Sequence, residues 1–261
     1  MGGAPSLQVE RDVAATTIRL RRPDAGNSLS RTAAEELAAA VEGLYADTPA
    51  CVVIAAEGAR FFCAGGDLDD YADLTTEESA HRVSHRMQTI LGALRRLPCP
   101  VIAAVEGVAV GGGVELALAC DLRIVGANAS FALTQVRLGV VPGWGGAAWL
   151  TEAVGRGRAI ELMSSGRTVA ATEAVGIGLA DLVVPAGTAE LRARETARLF
   201  STGAPTALRE VKSLVDLGDD PDEVAGRFAR LWVGEEHRAA ERAWQARRRP
   251  AAVPAHGLGF E

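Results

Sequence analysis

The chain has 261 residues, 48% of them hydrophobic, which is enough for one large domain with a core or for a domain with a small appendage. Its net charge of −6 argues against an extended basic surface for nucleic acid, and its single lysine, Lys212, argues against a Schiff-base enzyme. The first residues contain no apolar signal-peptide core, and no later segment reaches about 18 uninterrupted apolar residues, so we expect neither secretion nor membrane spanning.

The first quarter of the chain predicts a hairpin of strands, a helix and a buried strand. Residues 7–10 and 15–20 alternate in the manner of two strands, and a turn leads to Ser30, a predicted cap for a helix over 32–45. The run CVVIAAEG at 51–58 is short, apolar and rich in β-branched residues, which is typical of a strand buried in a parallel sheet.

Glycine-rich loops then follow buried strands twice. The first is FFCAGGDL at 61–68, which leads into an acidic loop over 70–79 and a helix over 78–97. VIAAV at 101–105 predicts the next buried strand and GVAVGGG at 107–113 the second glycine loop. Because strand, glycine loop and helix recur with a period near fifty residues, the pattern favours stacked right-handed turns of β and α over a simple open sheet.

The last third of the chain turns helical. A third strand, DLRIV, precedes the segment GWGGAAWL, which opens a helix, and EAVGIGLADLVVP predicts a helix, a turn and a strand. From 190 to 249 nearly every residue fits a helix, with breaks at 203–205 and 218–221. We therefore predict a mixed α/β core over residues 1–189 and a C-terminal helical segment over 190–261.

The cysteines and histidines do not indicate a metal site. The chain has four cysteines, far apart and without a C-x-x-C pair: Cys51, Cys63, Cys99 and Cys120. This spacing predicts reduced, buried thiols, as in a cytoplasmic protein. His81 and His85 stand four residues apart on a predicted helix, as metal ligands can, but no third ligand accompanies them and we expect no metal.

The two glycine loops predict a pair of free backbone N–H groups. Since each loop follows a buried strand and opens a helix, its N–H groups would lie at a helix N-terminus, where partial positive charge accumulates. Two such groups aimed at one point form an oxyanion hole. The run Gly111 to Gly113 alone would be weak evidence, but together with CAGGDL upstream it forms a constellation.

Glu115 is an acid in an otherwise apolar helix. A carboxylate there is costly to bury unless the protein needs it, which makes Glu115 a candidate catalytic group. The alternative is a partly exposed residue near the helix start, favoured by the helix dipole.

Four motifs, in this order, resemble the crotonase, or enoyl-CoA hydratase, superfamily over nearly the whole chain. They are FCAGGDL at 62–68, PVIAAVEGVAVGGGVELALACDLRI at 100–124, FALTQVRLGVVPGWGG at 131–146 and EAVGIGLADLVV at 173–184. The resemblance implies an α/β fold, the crotonase-type spiral of repeated ββα turns with a C-terminal helical domain, assembled as a trimer or a dimer of trimers. It also implies an acyl-CoA substrate, with coenzyme A entering as part of that substrate and no separate cofactor.

By the same resemblance, the N–H groups of Gly66 and Gly112 would hold the thioester oxygen and stabilise an enolate, while Glu115 would face the reacting carbons. Asp67 would brace the first glycine loop. Further positions match residues that line the CoA groove or the acyl pocket: Asn27, Ser28, Leu29, Ala64, Leu68, Gly111 and Trp144. Trp144 has ordinary packing as its alternative, about as well supported. Arg247, Arg248 and Arg249 are candidates for the nucleotide phosphates, against the alternative of a solvated helix face.

Gln135 departs from the family pattern, because the hydratases and isomerases carry their second glutamate there. An amide neither takes nor gives a proton at neutral pH, so general acid-base catalysis worth ~10²- to 10⁴-fold per group is at risk. Decarboxylation of a malonyl-type thioester needs only an oxyanion hole and one proton donor. The segments VPGWGGAAWL and RLWVGEEHRAA are also similar to the ethylmalonyl-CoA decarboxylase branch. Trp149 stands where the family commonly has an arginine, a change that the sequence does not explain.

Three functions therefore stay open at this level. The sequence favours an acyl-CoA lyase that decarboxylates an alkylmalonyl-CoA such as ethylmalonyl- or methylmalonyl-CoA. The alternative is an enoyl-CoA hydratase in which Gln135 orients the water by hydrogen bonding. A non-catalytic acyl-CoA-binding protein is a further alternative, against which Glu115 argues.

Overall fold

A computed structural model describes residues 4–217 and 220–248. The chain divides into two compact units, Met1–Gly203 and Ala204–Glu261. The strands of the described residues are β1 (Leu7–Arg11), β2 (Thr16–Leu20), β3 (Val52–Ala56), β4 (Phe61–Cys63), β5 (Val101–Val105), β6 (Val108–Val110), β7 (Leu122–Gly126), β8 (Ser130–Ala132), β9 (Thr168–Ala170) and β10 (Leu182–Val184).

The α-helices of the first unit are α1 (Arg31–Ala46), α2 (Glu77–Arg95), α3 (Gly112–Leu118), α4 (Gly146–Val154), α5 (Arg156–Ser165), α6 (Ala171–Gly176) and α7 (Ala189–Phe200). Those of the second unit are α8 (Pro205–Leu217), α9 (Pro221–Trp232) and α10 (Glu235–Arg248). Short 3-10 turns lie at Pro23–Ala25 and Thr134–Leu138. Over the described residues, no helix is both long and apolar enough to cross a bilayer.

The strands form two sheets. The larger sheet has the order β1-β2-β3-β5-β7-β10, in which β1 pairs antiparallel with β2 and the other neighbours are parallel. The smaller sheet has the order β4-β6-β8-β9, with β9 antiparallel at its edge. The chain therefore passes from the larger sheet to the smaller one in each turn: β3 to β4, β5 to β6, and β7 to β8.

This alternation is the predicted spiral of ββα turns, and it corrects two details of the sequence interpretation. The period near fifty residues holds between β3 and β5, whereas β7 follows β5 after less than half that distance. The glycine loop at 64–68 follows the short strand β4 and runs into a turn, so it does not open a helix. Only the loop after β6 does, because Gly112 is the first residue of α3.

The core explains the local structure. The helix α1 begins where predicted, since the Ser30 side chain accepts a hydrogen bond from the N–H of Ala33. Every residue of α3 is buried, including the acid. The helix α7 buries Ala189, Ala193 and Ala197 against the larger sheet, in one cluster with residues of β3, β5 and β7. It thus belongs to the first unit, and the division falls at 203/204, later than the predicted 189/190.

Gly43 allows a test of the helical conformation of α1. It is an exposed residue of α1, and a Cβ added to it would meet no heavy atom within 4 Å. We expect Gly43→Ala to raise the free energy of unfolding by ~0.5–1 kcal/mol, because alanine loses less conformational entropy in a helix. Urea unfolding checks this value. Gly58, at φ +83°, is the matched control, since the same substitution there strains the backbone and should lower stability.

Candidate active site

Two backbone N–H groups lack an acceptor where the predicted oxyanion hole lies. Leu29 and Gly66 form a parallel bridge through the bonds Leu29 N–H to Gly65 O, 2.8 Å, and Asp67 N–H to Leu29 O, 3.2 Å, which leave the Gly66 N–H unused. Gly112 is the first residue of α3 and is fully buried. Within the described residues, neither its N–H nor that of Gly66 donates to a protein acceptor. Gly66 is half-buried and Gly112 is buried, and an unpaired N–H group away from water is rare enough to need an explanation.

The two glycine loops lie against each other. A Cβ added to Gly65, which has φ +94°, would stand 2.9 Å from the nitrogen of Gly112. Glycine is required at position 65 for two reasons. This φ is unfavourable for residues with a side chain, and the backbone of the second loop fills the space that a Cβ would need. The close approach brings Gly66 and the N-terminus of α3 to one place, although only one of the two loops opens a helix.

Glu115 is 1% exposed and fully bonded. Its Oε2 accepts hydrogen bonds from the N–H groups of Trp144 and Gly146, both at 2.8 Å, and its Oε1 accepts one from Gln135 Nε2 at 3.2 Å. This burial is incompatible with a partly exposed residue favoured only by the helix dipole. Burial raises the pKa of the Glu115 carboxyl, and the N–H groups of Gly146 and Trp144 oppose that effect.

Gln135 has one polar atom without a partner. The side chain is 9% exposed and lies at the 3-10 turn Thr134–Leu138. Its Nε2 donates to Glu115, while its Oε1 is buried and accepts no hydrogen bond from the described residues. Such an oxygen costs stability unless a donor fills the site. The Gln135 amide therefore presents an acceptor beside the carboxylate.

Two aromatic rings flank Gly66. A Cβ there would lie 2.8 Å from Cε2 of Tyr71 and 3.3 Å from Cζ2 of Trp144. The Tyr71 hydroxyl donates to the carbonyl of Leu29 at 2.9 Å, and burial raises the pKa of this phenol to about 12. Sequence reasoning missed Tyr71, because it lies in the segment assigned to an acidic loop and no period marks it.

Residues 27–29 and Asp67 pack against the first glycine loop and support it, and we call them the frame of this loop. Asn27, at φ 55°, donates through Nδ2 to the carbonyls of Glu57 and Phe61, so its amide is occupied within the protein. Asp67 accepts a hydrogen bond from Ser28 Oγ at 3.2 Å and pairs with the Arg22 guanidinium at 2.7 Å. That guanidinium lowers the pKa of the Asp67 carboxyl.

The other predicted groove residues lie around this frame. Leu29 is buried, Ala64 is half-buried and Leu68 is 65% exposed. Gly111 has φ 53° and packs against the amide of Gln135, with a Cβ there 3.7 Å from the Gln135 Cδ.

The remaining candidates lie elsewhere in the chain. Arg247 is exposed on α10 of the second unit, while the side chain of Arg248 and the whole of Arg249 lie outside the described residues. Their phosphate-binding role stays a prediction. The rings of His81 and His85 stack at 6.0 Å, and the described residues contain no group of three or more potential metal ligands.

Comparison of the sequence with known proteins agrees with the family resemblance of the four motifs. The family model for enoyl-CoA hydratase/isomerase matches residues 10–240. An Arabidopsis thaliana protein named probable enoyl-CoA hydratase 2, mitochondrial, is 36% identical over 210 residues, covering 80% of this chain and 69% of that protein. Human mitochondrial methylglutaconyl-CoA hydratase is 36% identical over 205 residues, covering 77% of this chain and 60% of that one.

Solved structures agree with the fold. The crystal structure of an enoyl-CoA hydratase from Bacillus anthracis superimposes with a TM-score of 0.86 at 33% sequence identity. The match covers 94% of this chain and 98% of that one. The similarity thus includes both the spiral and the residues that follow it.

Proposed function

This chain belongs to the enoyl-CoA hydratase/isomerase family of acyl-CoA-processing enzymes, and we propose that its reaction is the addition of water to a 2-enoyl-CoA thioester. The observation that carries the proposal is the buried carboxylate of Glu115 close to two backbone N–H groups that lack acceptors. The names of the relatives support hydration better than the decarboxylation that the sequence favoured.

The proposed step moves one water across the double bond. The water oxygen bonds to the β carbon and its proton passes to Glu115, while the electrons of the double bond move into the thioester as an enolate. The N–H groups of Gly66 and Gly112 stabilise the negative oxygen. Glu115 then returns the proton to the α carbon, which restores the thioester and leaves a 3-hydroxyacyl-CoA.

Gln135 orients the water in this scheme. Its Oε1 is the buried acceptor without a partner, and the water O–H would donate to it. An amide holds the water but carries no proton, so Glu115 performs both proton transfers. This predicts slow hydration compared with a site that has two carboxylates.

Gln135→Glu should therefore increase the rate of hydration. The new carboxyl would share a proton with Glu115, because two carboxylates at this distance do not both ionise readily. A second acid-base group contributes about 10²-fold or more to such reactions. Comparing kcat for crotonyl-CoA between the wild type and Gln135→Glu tests this prediction. Gln135→Leu is the control, and a gain in that variant would contradict the role of the carboxyl.

A direct assay decides between the candidate reactions. We expect purified protein to add water to crotonyl-CoA, seen as loss of the enoyl absorbance. Release of CO₂ from ethylmalonyl- or methylmalonyl-CoA without hydration would overturn the proposal. Binding of these thioesters with no turnover of any of them would instead indicate the non-catalytic acyl-CoA binder.

Decarboxylation is the second candidate, and the Glu115 and Gln135 pair favours it. A neutral amide beside a single carboxyl repels a substrate carboxylate less than two glutamates would. The breaking C–C bond would leave its electrons in the enolate as CO₂ departs, and Glu115 would give its proton to the α carbon. Because burial raises the pKa of Glu115, the protonated form that this reaction needs is more accessible.

The assembly, the cofactor requirement and the compartment are also proposals. We propose a trimer or a dimer of trimers, catalysis without a separate cofactor, coenzyme A entering with the substrate, and a cytoplasmic location, all from the family resemblance and the cysteine pattern. Light scattering measures the mass of the assembly. Activity after exhaustive dialysis against a chelator tests the cofactor proposal.

A further inference from the structure

We propose that Trp144 closes the acyl end of the site and restricts the enzyme to short acyl groups. The inference rests on the proposed function, because it takes the oxyanion hole at Gly66 and Gly112 as the place of the thioester carbonyl. It adds the class of acyl group, which neither the reaction nor the family membership specifies.

The position of the indole ring carries the inference. A Cβ added to Gly112 would overlap Cζ3 of Trp144 and lie 2.6 Å from Cε3 and Cη2. A Cβ added to Gly66 would lie 3.3 Å from Cζ2 of the same ring. The six-membered ring thus packs on both glycines whose N–H groups lack acceptors, and it occupies the space next to them.

The same residue also contacts the acid. The N–H of Trp144 donates to Oε2 of Glu115 at 2.8 Å. A substrate with its carbonyl at the two glycines and its α and β carbons at Glu115 would therefore have the indole ring directly beside its reacting carbons. Since Trp144 is 8% exposed, the ring is enclosed and not a flap in solvent. Each methylene beyond the β carbon would compete with the ring for volume.

Hydrogen bonds on both sides fix the loop that carries the ring. The carbonyl of Gly143 accepts from Ser84 Oγ at 2.6 Å and from Gln88 Nε2 at 2.9 Å, both on α2. On the other side of Trp144, the N–H of Gly146 donates to Glu115 at 2.8 Å. These bonds fix the backbone that carries the ring, while the contacts with Gly66 and Gly112 and the 8% exposure confine the ring itself, so we expect a long acyl chain to meet a wall.

Calorimetric binding of saturated acyl-CoA thioesters tests the inference, because these do not react. We expect the wild type to bind butyryl-CoA more tightly than octanoyl-CoA or dodecanoyl-CoA. Trp144→Ala should shift the ratio of the octanoyl to the butyryl affinity by about tenfold or more in favour of octanoyl, since even one methylene in a pocket changes discrimination by about 10- to 200-fold. Trp144→Leu should give a smaller shift and serves if the alanine variant does not fold.

Trp149 provides the matched control. It lies on α4, one turn after the Trp144 loop, but its ring packs over Gly145 and against the Arg95 guanidinium, 5.7 Å from the ring centroid. Trp149→Ala removes an equal volume away from the two glycines and should leave the affinity ratio unchanged. Equal affinities of the wild type for butyryl-, octanoyl- and dodecanoyl-CoA would overturn the inference, as would the same shift in both alanine variants. If the folded wild type binds none of the thioesters, the proposed function itself fails.

Discussion

Glu115→Gln is expected to lower kcat by ~10²- to 10⁴-fold while acyl-CoA affinity is retained. Glu115 is the only carboxylate of the described residues that contacts Gln135 and the Trp144 loop together, so no neighbouring acid replaces it. The amide is nearly isosteric. Its oxygen can accept the N–H groups of Trp144 and Gly146. Its NH₂ would face Gln135 Nε2, another donor, so the Gln135 amide must turn over for its Oε1 to accept from the new NH₂.

Stability separates loss of chemistry from loss of fold in that variant. The folded-state pKa of Glu115 is raised above the usual 4.5, so the folded protein binds this proton more tightly than the unfolded chain does. The contribution of Glu115 to stability is therefore present at low pH and decreases as pH rises through the raised pKa. Removing the charge should leave Tm at neutral pH equal or higher. Unchanged kcat would remove Glu115 from the proposed mechanism, whereas a large drop in Tm would attribute the loss of kcat to the fold.

The pH profile of the wild type gives an independent check on the same group. Hydration needs the ionised carboxylate to accept the proton of water, so kcat/KM for crotonyl-CoA should fall on the acid side with an apparent pKa above 4.5. Decarboxylation needs the protonated form, and its rate should fall on the alkaline side instead. The sign of the dependence thus distinguishes the two reactions through one residue.

The sequence predicted the parts of the site that depend on local pattern. The Ser30 cap, the buried strands over 52–56 and 101–105, and the helix that opens at Gly112 follow from residue type and period, and the structure confirms each of them. The family resemblance is likewise confirmed. Local pattern could not predict the smaller sheet, because its strands have only three residues each and their pairing is entirely long-range.

Side-chain contacts between distant parts of the sequence could not be predicted either, because they are also long-range. The sequence explained Trp144 equally well as core packing or as a pocket wall, and only the structure shows that its ring packs on Gly66 and Gly112. Tyr71 carried no periodic signal at all. The hydrogen bonds of Glu115 to the backbone of residues 144 and 146 link segments about thirty residues apart. Their formation depends on how the turns of the spiral stack, and residue spacing does not encode it.

Gly113→Ala is expected to lower the free energy of unfolding by more than the other substitutions predicted above. Gly113 is fully buried in α3, and an added Cβ would overlap the carbonyl oxygen of Cys63 and lie 2.7 Å from its carbonyl carbon. Both atoms belong to the backbone of Cys63, the last residue of β4. Relieving the clash therefore requires α3 to move away from the smaller sheet. Overpacking of this kind costs ~1–3 kcal/mol and occasionally more. The shift would also displace Gly112 and Glu115, and we expect turnover to be lost along with several degrees of Tm.

Gly112→Ala is the informative comparison, because its Cβ meets a side chain and not the backbone. The overlap there is with the ring of Trp144, so the double variant with Trp144→Ala should recover stability that Gly112→Ala loses. The same second substitution should not rescue Gly113→Ala. Urea unfolding of the wild type, the three single variants and the two double variants gives both coupling energies. Equal rescue of the two glycine variants, or wild-type stability of Gly113→Ala, would show that α3 does not pack on β4 as closely as the Gly113 position requires.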